Sequence, residues 1–274
     1  LFDTVLGVAI DRYNRLWTID HGNHGMRTAR IVAIDLDTNE ILRNQALSPD
    51  IAPAGSFLQD LQVSADGNTV VIADASFWRK SPAIIVYDVE TGEARRVLES
   101  HASVSAENYV IRSGDREMKF FSGVVALRGG VDGIALGPEW LYYGALSGSG
   151  LYRVLLKDLL DESLPPSQLA NRVERIGDKP LSDGLSIDIE GNIYITDVEH
   201  GSIFVTGAGT NLKTLIQAPD LRWPDALSFG PDGYLYIADS ALAELILQSR
   251  EHIEAQGPYR IFRLQPGVDG VPGQ

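Results

Sequence analysis

Five segments of the chain alternate apolar and polar residues with a period of two, and a single turn interrupts each alternation. The turns are rich in Gly, Asn and Asp, and each segment ends on a small or acidic residue. Two such runs around a turn are typical of a β-hairpin. The segments are LGVAIDRYNRLWTID (6–20), QDLQVSADGNTVVIAD (59–74), DGIALGPEWLYYGA (132–145), DGLSIDIEGNIYITD (183–197) and DALSFGPDGYLYIAD (225–239).

The hairpins recur at intervals that suit a repeat protein. The apolar residues that open their second strands lie 54, 71, 52 and 42 residues apart; they are Leu16, Val70, Leu141, Ile193 and Leu235. Units of about 40–55 residues are typical of four-stranded propeller blades. A β-sandwich made of the same hairpins is the alternative, but sandwiches lack such a recurring unit. The pattern therefore favours an all-β propeller.

Each hairpin is followed by further short apolar runs that predict the outer strands of a blade. Third strands are predicted at 30–36, 83–89, 150–155, 202–205 and 259–264, and fourth strands at 41–44, 95–98, 172–176 and 212–216. Residues 101–130 and 158–168 depart from the repeat, and long loops of this kind are usually functional lids or disordered segments. Because no linker with a shift in composition separates the blades, residues 1–274 are interpreted as one domain.

Composition narrows the classes of partner and site. The formal net charge of −14 argues against nucleic acid and against an anionic membrane surface, since both attract clustered Lys and Arg. No apolar run reaches the roughly 18–20 residues of a membrane span. The absence of Cys excludes disulfides, thiolate metal sites and a Cys nucleophile. No G-x-S-x-G motif is present, which disfavours a triad hydrolase.

Polar side chains are expected to converge where the first strand of each hairpin begins. These strands surround the channel of a propeller, so the residues four positions before the apolar anchors form a ring at its mouth. The anchors are Ile10, Val63, Leu136, Ile187 and Phe229, and the predicted ring is Leu6, Gln59, Asp132, Asp183 and Asp225, with Asp60 beside it. Carboxylates and an amide in one small space would hold a cation or share protons.

A cation could occupy such a ring. Oxygen ligands without Cys favour Ca²⁺ or Mg²⁺, or alternatively an organic ammonium. The other interpretation is that each Asp accepts backbone hydrogen bonds at a strand end. His21 and His24, which follow Asp20, and His200, which follows Asp197 and Glu199, are further candidates for ligand binding or acid–base chemistry, although loop histidines are commonly just solvated.

LGVAIDRYNRLWTIDHG resembles the opening of the Yellow/major royal jelly protein family, and ARIVAIDLDTNEILRN and GVDGIALGPEWLYYGALSGSGLYRVLLKDLL continue the likeness in order. The family implies a six-bladed propeller, often secreted, whose members carry small ligands such as biogenic amines in the channel. The chain lacks the Cys residues of animal members, so it resembles a bacterial relative, for which a secreted or periplasmic location is expected.

LSDGLSIDIEGNIYITDVEHG is similar to the wider SMP-30/gluconolactonase superfamily. That resemblance implies a divalent metal held by Asp183, Asp132 and Gln59, with Asp183 also serving as the catalytic base in lactone hydrolysis. Asp132 and Gln59 stand where the superfamily has Asn, and no residue supplies its early Glu ligand. Because five blades are visible where both families have six, the first blade is expected to lie outside this sequence.

Three functions follow from these observations. The first is a small-molecule-binding propeller with an acidic channel mouth, with ligand contacts from Gln59, Asp60, Asp225, His21, His24 and His200. The second is a divalent-metal-dependent lactonase or related hydrolase. The third is an amine-binding protein with no catalytic activity. The sequence does not determine the oligomeric state.

Overall fold

The computed structural model describes residues 2–207 and 211–274, and the strands in these ranges form seven antiparallel sheets. Five of them have three or four strands and follow one another along the chain, and the other two are short hairpins. Within each sheet every strand pairs with the next strand along the chain, which is the arrangement of a propeller blade. The prediction of an all-β propeller is therefore confirmed. The sixth blade stays a prediction.

The strands of the first two blades and of the following insertion have these bounds. The first blade contains β1 (Val5–Ile10), β2 (Arg15–Asp20), β3 (Arg30–Asp35) and β4 (Ile41–Ala46). The second contains β5 (Leu58–Val63), β6 (Thr69–Asp74), β7 (Ala83–Asp88) and β8 (Ala94–Val97). The insertion forms two short hairpins, β9 (Arg112–Ser113) with β10 (Arg116–Glu117), and β11 (Lys119–Phe120) with β12 (Val125–Ala126).

The last three blades follow the insertion. The third blade contains β13 (Val131–Leu136), β14 (Trp140–Ala145), β15 (Gly150–Leu155) and β16 (Glu174–Asp178). The fourth contains β17 (Leu185–Ile187), β18 (Ile193–Asp197), β19 (Ser202–Thr206) and β20 (Lys213–Gln217). The fifth has three strands, β21 (Pro224–Phe229), β22 (Leu235–Asp239) and β23 (Arg260–Leu264). All predicted outer strands lie within two residues of these bounds.

The helices are short and lie in the connections. They are α1 (Gly22–Gly25), α2 (Leu156–Leu160), α3 (Pro166–Ala170), α4 (Arg250–Ala255) and a 3₁₀ turn at Leu242–Glu244. Part of the predicted loop at 158–168 is therefore helical, since Pro166 suits the first turn of a helix. No helix in residues 2–207 and 211–274 is long and apolar enough to cross a membrane.

The apolar anchors define the register of all five hairpins. Each anchor of a first strand pairs directly with the anchor of the second strand across the turn. The pairs are Ile10–Leu16, Val63–Val70, Leu136–Leu141, Ile187–Ile193 and Phe229–Leu235. The first strands lie side by side in the order β1, β5, β13, β17 and β21, so they line the axis of the propeller.

The core fills the spaces between neighbouring blades. Buried Val71 and Val86 of the second blade, for example, share a cluster with Ile134 and Leu141 of the third. Consecutive residues are buried along β6 and β7, so both faces of this sheet carry apolar side chains, because the blade packs against a neighbour on either side. Packing between blades therefore fixes the positions of the first strands around the axis.

The insertion lies over the end of the propeller where the first strands begin. Its buried Ile111, Met118 and Phe120 join one apolar cluster with Leu146, Leu181, Val198 and Trp223, which come from the third, fourth and fifth blades. The Arg112 backbone N–H also donates to the Glu199 carboxylate at 2.7 Å. Residues 101–130 therefore form an ordered cap over several blades.

Residues 265–274 cross the opposite end of the propeller. Gln274 accepts the Leu136 N–H on its side-chain oxygen at 2.7 Å and the Phe229 N–H on its backbone oxygen at 2.8 Å. The Val271 N–H donates to the Ile187 carbonyl at 3.1 Å. All three partners are the last residues of first strands, so this segment, called the strap below, links the third, fourth and fifth blades.

Candidate functional site

A β-bulge lies near the start of the first strand in four of the five blades. In the second blade the register shifts between Leu58 and Leu61, and in the third between Val131 and Ile134. Corresponding shifts occur in β1 and β21. A bulge leaves a residue unpaired and redirects its side chain, and it is common beside binding sites. The predicted ring residues of these blades lie within the bulges.

The residue after the ring position contacts the next blade at close range. A Cβ on Gly133 would lie 2.4 Å from the Asp183 carbonyl oxygen, and a Cβ on Gly184 would lie 2.3 Å from that of Asp225. Asp60 occupies the same position in the second blade, and its carboxylate accepts the Ile134 N–H of the third blade at 3.1 Å. Close approach of the blades at this level brings the ring residues together.

Asp132 and Asp183 are the buried members of the group, with 2% and 4% of their surface exposed. Burial raises the pKa of Asp132 well above its ordinary value, and the charges of Asp183, Asp225 and Asp60 raise it further. Burial followed by the charge of Asp225 likewise raises the pKa of Asp183. Four aspartates, Asp60, Asp132, Asp183 and Asp225, are therefore within reach of one another's charges; they are called the aspartate group below.

Asp60 and Asp225 are partly exposed members of the group. Burial raises the pKa of Asp60 to about 7, although the N–H groups of Ile134 and Leu61 favour its ionised form. Burial also raises the pKa of Asp225, which the nearby Ser240 hydroxyl opposes. A carboxyl group with a pKa of about 7, such as that of Asp60, exchanges protons near neutral pH, as acid–base residues do.

Lys179 and Trp223 complete the site and are absent from the predicted residues. The Trp223 indole N–H donates to Asp183 Oδ2 at 2.6 Å. Lys179 is buried, and its ammonium donates to the Ala145 and Pro180 carbonyls at 2.8 and 3.0 Å. Both could have been found in the sequence, because Lys179 lies four residues before Asp183 in KPLSD and Trp223 lies two residues before Asp225 in WPD.

The Lys179 ammonium acts on two members of the aspartate group, Asp132 and Asp183. Burial lowers the pKa of Lys179 to about 7, and the charge of Asp132 is the strongest of the effects that oppose this decrease. One ammonium acts on two of the four aspartates, so the group keeps an excess of acidic side chains.

The aspartates at the ends of the second strands have a structural role. Asp20 accepts N–H bonds from Asp3, Thr4 and Gly22. Asp74, Asp197 and Asp239 also accept two backbone N–H bonds each. The interpretation of ring aspartates as backbone acceptors holds for Asp60, which accepts the Leu61 and Ile134 N–H groups. Asp132, by contrast, has no hydrogen-bond partner in the described part of the chain.

The other two predicted ring residues, Leu6 and Gln59, carry no charge. Leu6 is 42% exposed. The side-chain oxygen of Gln59 is buried beside the ring and accepts no hydrogen bond from residues 2–207 or 211–274. Gln59 therefore brings an unpaired acceptor to the edge of the aspartate group.

The three candidate histidines lie apart from the aspartate group. His21 is buried and accepts the His24 N–H on Nδ1 at 2.8 Å, and both rings pack around Phe57. Burial, followed by the charge of His24, lowers the pKa of His21 to about 4, so the ring is neutral at pH 7. The His200 side chain is 66% exposed and contacts Asp197 at 2.9 Å. The structure does not bring these rings to the aspartates.

The residues predicted to hold a divalent metal ion give an incomplete set of ligands. Asp132 and Asp183 supply two carboxylates, and Gln59 supplies an amide oxygen without a partner. Within the described ranges no group of three or more His, Asp or Glu side chains is arranged to hold a metal ion. The ammonium of Lys179 acts on the same two carboxylates. The set therefore does not fit a divalent cation well, and Ca²⁺ or Mg²⁺ stays a prediction.

Comparison with known proteins identifies the family. The family model described as "Major royal jelly protein" matches residues 3–255. A search of curated proteins found no match.

Solved structures share the fold at low identity. A luciferin-regenerating enzyme is 12% identical with a TM-score of 0.65, and the match covers 99% of this chain and 81% of that one. A gluconolactonase from Xanthomonas campestris is 16% identical with a TM-score of 0.54, covering 85% and 68%. A virginiamycin B lyase from Staphylococcus aureus is 15% identical with a TM-score of 0.54, covering 98% and 69%. These likenesses concern the fold alone, whereas the family match shows that the chain belongs to the major royal jelly protein family.

Proposed function

We propose that this protein binds a small organic amine at the aspartate group, which lies at an acidic channel mouth. The observation that carries the proposal is that the charges of Asp60, Asp132, Asp183 and Asp225 act on one another, while the Lys179 ammonium offsets those of Asp132 and Asp183. Buried carboxylates repel one another unless they share protons or bind a cation. An ammonium ligand would relieve that repulsion.

The chemistry of the site suits an ammonium better than a metal ion. An ammonium has three N–H donors, and the carboxylates of Asp132 and Asp225 are available as acceptors. It needs neither six oxygen ligands nor a preset geometry, which Ca²⁺ and Mg²⁺ require. The Trp223 indole is fully buried, and its N–H donates to Asp183 Oδ2 at 2.6 Å, which holds that carboxylate in place. An amine therefore matches the residues present.

The experiment is a calorimetric titration with tyramine, with 4-ethylphenol as the neutral compound of similar shape. Tyramine is expected to bind at neutral pH, whereas 4-ethylphenol lacks the ammonium and is expected to bind at least about tenfold more weakly. The Asp183→Asn variant is expected to weaken tyramine binding by about tenfold or more, because it removes a charge-assisted hydrogen bond.

Asp50→Asn is the matched control, since it removes a carboxylate from an exposed position away from the group. Its affinity for tyramine is expected to equal that of the unmodified chain. Absence of tyramine binding at millimolar concentration, or equal binding of both compounds, would overturn the proposal.

Hydrolysis of a lactone or ester is the second candidate, and the raised pKa of the buried Asp183 favours it. Such a carboxylate can accept a proton from a water molecule as that water attacks the carbonyl carbon, and it can return the proton to the alkoxide oxygen that leaves when the ring C–O bond breaks. Turnover of a δ-lactone that is lost in Asp183→Asn but retained in Asp50→Asn would support it. Turnover that survives Asp183→Asn would exclude this role, and loss of turnover on chelation would revive the metal-dependent form.

A further inference from the structure

A cavity of about 300 Å³ lies outside the aspartate group, between the insertion and the loop that follows β6. Lys80, Lys119 and Arg128 supply its charged groups, and Val110 and Val125 are among its apolar walls. A second cavity of about 110 Å³ is also lined by Lys80 and Arg128. The two cavities therefore meet at these cationic side chains, in a chain with a net charge of −14.

Lys80 and Arg128 form no ion pair with a carboxylate in residues 2–207 or 211–274. The Lys80 ammonium donates to the Arg128 carbonyl at 3.0 Å, and Arg128 Nε donates to the Tyr109 carbonyl at 3.2 Å. Lys119 differs, because its ammonium contacts Glu117 at 2.6 Å. Two adjacent cations at the cavity thus have only neutral oxygens as partners.

The backbone holds Lys80 in place. Lys80 and Ser76 adopt φ values of 58° and 47°, in the left-handed region that residues with a Cβ seldom occupy. The Lys80 N–H donates to the Ser76 carbonyl at 2.8 Å, and the Ser81 N–H donates to the Ser76 hydroxyl at 3.2 Å. Conformations of this kind are retained where the surroundings fix them, commonly at binding sites. The Lys80 ammonium also lies 4.5 Å from the centre of the Phe77 ring.

We propose that this cavity binds a small monocarboxylate with an apolar body, with Lys80 and Arg128 holding the carboxylate and the valine-lined wall holding the body. A guanidinium pairs with a carboxylate through two parallel hydrogen bonds, and a lysine adds a point charge. The apolar wall favours a carboxylic acid over inorganic phosphate, which has no apolar part. Burial and the charge of Arg128 lower the pKa of Lys80, and a bound anion would offset both effects.

The test is a titration with hexanoate, followed by ligand-observed NMR, with hexanol as the uncharged compound and phosphate as the inorganic anion. Hexanoate is expected to saturate the protein at millimolar concentration, and hexanol and phosphate are expected to bind at least about tenfold more weakly. Lys80→Gln and Arg128→Gln are each expected to weaken hexanoate binding by about tenfold. Lys80→Arg, which keeps the charge, is expected to retain most of the affinity.

Lys157→Gln is the control, because Lys157 is an exposed lysine on α2 remote from the cavity. Asp183→Asn separates this proposal from the amine site, since it is expected to leave hexanoate binding unchanged. If phosphate bound as tightly as hexanoate, the cavity would be a general anion site, and the proposal of a carboxylate ligand with an apolar body would be wrong. No saturable hexanoate binding at about 50 mM, or unchanged binding in a folded Lys80→Gln/Arg128→Gln double variant, would overturn the proposal.

Discussion

Replacing Arg96 with methionine is expected to lower the free energy of unfolding by about 4 kcal/mol, because it leaves a buried carboxylate without its counter-ion. The Arg96 guanidinium lies 2.8 Å from Asp74 Oδ2, and the two side chains are 7% and 0% exposed. Burial raises the pKa of Asp74, and the charge of Arg96 opposes that rise. In the variant Asp74 would have to be buried as an unpaired charge or take up a proton.

The pair also positions the site. Asp74 accepts the Phe57 N–H at 2.7 Å, immediately before the strand that carries Gln59 and Asp60. Arg96 further donates to the Ile51 and Ser81 carbonyls at 2.8 and 3.0 Å. Loss of Arg96 therefore loosens the start of β5 as well as the second blade.

Urea unfolding at pH 8 measures the effect. The neighbouring variant Arg95→Met is the control and is expected to lose less than about 1 kcal/mol, since Arg95 is 30% exposed, lies 3.9 Å from Glu162 and otherwise donates to the neutral Leu159 carbonyl. The loss in free energy of unfolding of Arg96→Met is expected to be smaller at pH 5, where Asp74 binds a proton more readily. It is also expected to be smaller in the double variant that carries Asp74→Asn as well. If Arg96→Met lost no more free energy of unfolding than Arg95→Met, the pair of Arg96 and Asp74 would contribute little to stability.

Replacing Asp132 with asparagine is expected to stabilise the protein by about 2 kcal/mol at pH 8 while weakening tyramine binding. Its pKa in the folded state lies above the unfolded value because of burial and the neighbouring aspartates. The contribution of such a group to stability is fully present below the unfolded pKa and is lost as the pH rises through the folded pKa. Asparagine does not ionise, so the Asp132→Asn variant keeps this part of its stability as the pH rises.

Thermal unfolding at two pH values tests this prediction. At pH 8 the melting temperature of Asp132→Asn is expected to exceed that of the unmodified chain by about 5 °C, and at pH 5 the gain is expected to be smaller. Asp50→Asn, at an exposed position, is expected to change neither value. A gain that is larger at pH 5 than at pH 8 would contradict the raised pKa.

The blades could be predicted from the sequence because a hairpin is a local structure. Alternation with a period of two and a Gly/Asn/Asp turn identify both strands, and the paired anchors Val63 and Val70 follow from the turn between them. The ring residues could be named in the same way, because counting from one anchor is independent of the rest of the chain. The charges of Asp183 and Asp225 raise the pKa of Asp132, and the role of these residues in binding stays a prediction.

The remaining features depend on contacts between distant residues. Lys179 precedes the fourth blade, yet its ammonium binds a carbonyl of the third, and periodicity carries no information about such a contact. The insertion lacks a repeat because its apolar residues, among them Phe120, face a cap cluster rather than a sheet. The distinction between Asp74, which accepts backbone N–H groups, and Asp132, which does not, likewise appears only in three dimensions.

The strap has a consequence for the order in which the protein folds. Its bonds to Leu136 and Phe229 join residues that are far apart in the chain, and Gln274 and Leu136 are separated by 138 positions. During synthesis the third, fourth and fifth blades leave the ribosome before residues 265–274 do, so each of these blades must first rely on its own hairpins and its earlier neighbours. Contacts of this sequence separation form slowly. Joining of the last three blades by the strap is thus a late event in folding.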